Sequence, residues 1–190
     1  KYKVKAADIY EYIIMTLEKA IELLPEENQA GRIDKWAAKG LLAKVYLTKS
    51  GINANGNGQR DADDLAKAAS YAKDVINNSG KQLMANYEDI FKGENDLCEE
   101  SLFGWRWTAE QNNYTCGNCL TSELAMKGFE TYQCWGDWTA PSVDLQDAFG
   151  VSPLDNPTQR NQSDARRKAT MMMAGDKYSC LLYTSPSPRD

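Results

Sequence analysis

The sequence predicts a mainly α-helical protein in which paired helices carry long, irregular, aromatic-rich loops. Two observations predict the helices: apolar residues recur at steps of three and four through the first eighty positions, and alanine dominates two of the resulting stripes. A third predicts the loops. From Gln111 to Trp138 the periodicity fails, and Asn, Gly, Cys and aromatic residues take over, a composition that needs a scaffold to hold it.

The first helix is expected over Ala6 to Leu24, with Ile9, Ile13, Leu17, Ala20 and Leu24 on its buried face and Pro25 as its stop. The second is expected from Asp34, a capping residue, to Thr48, with Ala37, Ala38, Leu41, Leu42, Val45 and Tyr46 inward and Lys49, Ser50 and Gly51 closing it. Trp36 in this alanine-rich helix reads as a packing residue. The third spans Asp61 to Asn78 with Leu65, Ala68, Ala69, Ala72, Val75 and Ile76 inward, ended by Ser79 and Gly80. Small side chains let helix axes approach closely, so the second and third helices are expected to pair antiparallel as a hairpin resembling a tetratricopeptide unit. One such hairpin cannot bury both its faces, which predicts a superhelix with further helices before Lys1 or after Ser179. Beyond Gly80, Tyr87, Ile90 and Phe91 form a short apolar anchor. Ser101 to Trp107 (SLFGWRW) reads as a brief extended segment, and Val143 to Phe149 as one or two helical turns.

The 190 residues, 42% hydrophobic, suffice for one domain or a large part of one. The organisation expected is a single helical domain over 1–179, with helical hairpins in 1–80 and a loop-rich, ligand-binding part in 81–179. Lys1 is neither an initiator Met nor the start of a signal peptide, so the beginning of the protein is expected upstream. Cys180 to Asp190 (CLLYTSPSPRD) changes character abruptly and reads as translated sequencing-adapter sequence, the alternative being a native Ser/Pro-rich tail.

A net charge of -5, from 27 acidic and 22 basic residues, is the wrong sign for a phosphate-binding surface and argues against nucleic acid. Histidine is absent, which removes Ser-His and Cys-His nucleophile pairs and His-containing zinc sites. Acidic pairs such as Glu99-Glu100 and Asp63-Asp64 read as solvated, so no residue is assigned a catalytic role.

The aromatic cluster Trp105, Trp107, Tyr114, Tyr132, Trp135 and Trp138 is the most suggestive feature. Sugar rings present apolar C–H faces that stack on indole and phenol rings, and Asn113 and Asp137 beside them can hydrogen-bond hydroxyls. The bland alternative is that these rings cover the helical frame with one edge wet. Cys116 and Cys119 form a CxxC in polar loop sequence, where structural disulfides with Cys98 and Cys134 and free thiols both stay open. Asn53 to Asp64 loosely follows a calcium loop, with Gly58 sixth and Asp64 twelfth, but Asn replaces the usual first Asp. No metal or cofactor is expected.

Several ordered stretches are similar to the RagB/SusD family. GRIDKWAAKGLLAKVYL and DLAKAASYAKDVI resemble its tetratricopeptide-like hairpin, through Gly31, Arg32, Ala37, Ala38, Leu41, Leu42, Ala43, Tyr46 and Leu47. YEDIF (87–91), ESLF (100–103), PSVDLQDAF (141–149) and DARRKAT (164–170) follow in the family's order, so the resemblance covers nearly all of Ala6 to Asp176. It implies a non-catalytic, lipid-anchored protein of the outer-membrane surface in Bacteroidetes-type bacteria, which captures glycan, sometimes peptide, for a SusC-like TonB-dependent β-barrel transporter. The lipid-modified cysteine of the family has no counterpart here. The competing expectation is a helical adaptor that grips a peptide or protein.

Overall fold

The computed structural model describes residues 3–52, 58–105, 140–156, 159–160, 163–173 and 176. Among them the regular structure is helical, without a strand, so the protein is mainly α as the periodicity predicts. It divides into two compact units: Lys1–Ala85 with Gly93–Arg106, and Asn86–Lys92 with Trp107–Asp190.

The first unit is built on three helices, α1 (Ala6–Leu23), α2 (Lys35–Lys49) and α3 (Ala62–Asn78). Their ends follow local chemistry. Leu24, which precedes Pro25, is forced into extended backbone, and its N–H makes the last helical bond to the Ala20 carbonyl at 2.8 Å. The Asp34 carboxylate accepts the Ala37 N–H at 2.8 Å and starts α2; Asp61 does the same for the Asp64 N–H at 2.9 Å and starts α3. Gly80, at φ +69, turns the chain away after α3 in a conformation that an L side chain would strain.

Two ion pairs give the direction of the α2–α3 pairing. Lys39 binds Asp74, and Lys49 binds Asp64 at 2.6 Å; ten residues forward in α2 are ten residues back in α3, so the pair is antiparallel. Between them lie Leu42, fully buried, Tyr46 and Ala68, against which α1 packs Ile14, Leu17 and Ile21. Tyr46 stacks on Tyr71 with ring centroids 6.0 Å apart, and burial, reinforced by the Glu18 charge, pushes both phenols above their ordinary range.

The faces depart from the expected stripes. Leu41 is 52% exposed and Ile76 is 74% exposed, and Ile9 and Ala69 also face solvent, while Trp36 is buried as expected. The physical reason is stripe width. Each helix is apolar over a broader arc than its neighbours among the described residues cover, so periodicity marks the arc but not the part that is used. Asp64 is buried because Lys49 neutralises it there.

In the second unit Tyr87–Phe91 forms a 3₁₀ turn, with Phe91 exposed rather than anchored and packed edge-to-face on Tyr87. Helix α4 (Val143–Ala148) is capped by the Ser142 hydroxyl, and Phe149 after it packs on Val151, Met171 and Met173. After α5 (Arg166–Thr170) comes Asp176, buried with Arg160 and Arg167. It accepts from both guanidiniums and from the Met173 N–H at 3.0 Å. Burial alone would push this carboxyl up. The Arg167 and Met173 hydrogen bonds, with the charges of both arginines, outweigh it and hold the group below the usual carboxylate range.

Candidate functional site

The segment that follows α3 is strapped down residue by residue. The Gln82 side chain donates to Glu99 Oε2 at 3.0 Å, and the Met84 N–H donates to the Glu100 carboxylate at 2.9 Å. Cys98 and Ser101 close successive turns, their N–H groups bonding the Asn95 and Cys98 carbonyls at 2.9 Å. Leu97 holds φ at 65°, the left-handed region, which costs a non-glycine residue about 1–3 kcal/mol and persists only where the surroundings fix it. Leu102 then lies against α2 at Gly40, where an added Cβ would sit 2.8 Å from its Cδ1.

This strapping presents two rings. Phe103 is 52% exposed and Trp105 is 79% exposed, with ring centroids 5.7 Å apart and planes at 75°. Of the segment Ser101 to Trp107, expected to be extended, the described part Ser101 to Trp105 forms no ladder, and Phe103 joins the candidates named from the sequence. The signal was there in the alternation Phe103-Gly104-Trp105, which puts both rings on one side of an extended backbone. Trp107, Asn113, Tyr114, Tyr132, Trp135, Asp137 and Trp138 lie outside the described residues.

A concavity of about 520 Å³ lies where α1 begins, α2 ends and α3 starts, lined by Tyr10, Lys49, Ser50, Arg60, Asp61 and Asp64. Both Asp64 oxygens accept from Lys49 Nζ, at 2.7 and 2.6 Å, so the carboxylate at the twelfth position of the calcium-like loop is engaged by an ammonium. Among the described residues no group of three or more His, Cys, Asp or Glu side chains stands where it could hold a metal. Cys98 is a half-buried free thiol; Cys116, Cys119 and Cys134 lie outside the described residues. No described helix is long and apolar enough to cross a membrane.

Together these features define a helical-hairpin protein with a strapped segment that displays aromatic rings. The chain is 40% identical over 176 residues to a SusD-like protein of Bacteroides ovatus, a match over 92% of this chain and 30% of that protein. It superimposes on a crystal structure solved with a xylogluco-oligosaccharide at a TM-score of 0.78 and 37% identity, covering 95% of this chain and 35% of that one. A further crystal structure matches at a TM-score of 0.67 and 41% identity, over 76% of this chain and 28% of that one. No family model matches the chain. By sequence and by fold the chain belongs to the SusD-like family, and it spans about a third of the length of the relatives it matches.

Proposed function

We propose that this chain is part of a cell-surface protein that captures glycan without turning it over and passes it to a TonB-dependent β-barrel transporter. The observation that carries the reading is Trp105, an indole left 79% exposed on a segment that is otherwise tied down by hydrogen bonds and close packing. Exposing a large apolar ring on a rigid mount has a cost in water that a ligand's apolar face would relieve. The pyranose rings of a β-linked glucan have such faces, and the similar structure solved with a xylogluco-oligosaccharide supports this ligand class.

In this reading the helices of 1–80 form the supporting part and the loop-rich 81–179 supplies the ligand surface. Trp107, Tyr114, Tyr132, Trp135 and Trp138 add stacking faces, and Asn113 and Asp137 hydrogen-bond hydroxyls. The protein acts by binding alone, and its attachment to the outer membrane is through a lipid. Calorimetric titration of the chain with a xylogluco-oligosaccharide tests the ligand class. Saturable binding that weakens more than tenfold in Trp105→Ala is expected. Binding of a basic peptide with no response to oligosaccharide would replace this reading with that of a helical adaptor.

A further inference from the structure

We infer that Phe103 is a positioning residue for Trp105, fixing the indole plane before a glycan arrives. The inference rests on the glycan-capture reading and deepens it. An exposed tryptophan on a loop has rotamer freedom that a ligand must remove, and affinity falls by that ordering cost. Phe103 removes it in advance. At 5.7 Å and 75° the two rings meet edge-to-face, the arrangement in which the positive edge of one ring lies on the negative face of the other. Such a contact uses one face or edge of the indole and leaves an open face on which a pyranose can lie.

Phe103 can do this because its own position is set from behind. Its neighbour Leu102 is seated against Gly40 of α2, Glu100 is tied to the Met84 N–H, and Ser101 to the Cys98 carbonyl. An added Cβ at Gly104, between the two in sequence, would meet Leu97 Cδ2 at 3.7 Å and Ser101 Oγ at 3.9 Å, ordinary contact distances. The edge-to-face pair is therefore held at Phe103 and reaches outward at Trp105, the more exposed of the two.

The test is calorimetric titration of the 190-residue chain with a xylogluco-oligosaccharide across Phe103→Ala, Phe103→Leu, Phe103→Tyr and Trp105→Ala, with near-ultraviolet circular dichroism of each. Loss of an aromatic pair weakens affinity about three- to tenfold in both the alanine and leucine variants, while tyrosine, which keeps the ring edge, stays within about twofold. The tryptophan dichroism changes in the alanine and leucine variants and not in the tyrosine variant. Urea midpoints stay unchanged, because Phe103 is half exposed. If Trp105→Ala weakens binding but Phe103→Leu binds as the parent does, the positioning role is overturned and glycan capture stands. If Trp105→Ala binds unchanged, the glycan site is not at this ring and both readings fail here.

Discussion

Truncating Leu42 to alanine removes the side chain that α1, α2 and α3 share. Leu42 is fully buried, walled by Tyr46 and Ala68, with Ile14, Leu17, Ile21 and Tyr71 packed around it. Leu-to-Ala changes in cores cost about 2–5 kcal/mol, the spread reflecting how far the site collapses. Two walls are stiff here, because α2 and α3 are bridged by Lys39–Asp74 and Lys49–Asp64. The third is not: α1 has no fully buried residue and can move inward, which puts the cost near the lower end, about 2.5–3 kcal/mol. With a urea slope of about 2 kcal/mol/M, the unfolding midpoint falls by roughly 1.3–1.5 M. Ile76→Ala is the matched control, since Ile76 is 74% exposed and its truncation stays within about 0.5 kcal/mol. Equal shifts for the two variants would refute the assignment of helix faces and the core built on it.

Asp34→Ala leaves the Ala37 N–H at the start of α2 without its side-chain acceptor and costs about 1 kcal/mol, read as a fall of roughly 2–4 °C in thermal midpoint. Asp176 has its folded pKa depressed, so its contribution is present above the ordinary carboxylate pKa of about 4 and is lost as pH falls through the folded value. Urea midpoints taken down from pH 5 should therefore drop less steeply in Asp176→Asn than in the parent, and parallel profiles would contradict the pairing with Arg160 and Arg167. The Arg166 hydrogen bonds hold the Asp164 carboxyl at about 2; a side-chain NMR titration should find it there, and Arg166→Ala should return it to the ordinary range.

Helix ends were legible because each is written in one or two residues: Asp34 and Asp61 as caps, Pro25 with the restricted Leu24 before it, and Gly80 at positive φ. Helix faces were less so. Periodicity located apolar arcs in α2 and α3 but placed Leu41 and Ile76 inside, since it carries no information on how wide a neighbour covers the arc. Buried charges were invisible for a related reason: Asp64 is made tolerable by Lys49, fifteen residues away, and Arg167 by Asp176, a pairing that no local pattern signals. At the candidate site, composition pointed to Trp105 as an aromatic in a non-helical stretch. It could not point to Phe103, whose role depends on a ring angle fixed by Leu102 against Gly40 and by Glu100 on the Met84 N–H.

The central claim, capture without turnover, is tested most directly by prolonged incubation of the chain with a xylogluco-oligosaccharide, measuring bound ligand by calorimetry and the oligosaccharide by chromatography afterwards. Saturable binding with the oligosaccharide recovered at its original length is the predicted result. Steady shortening of the oligosaccharide, or no binding of it, would contradict the account.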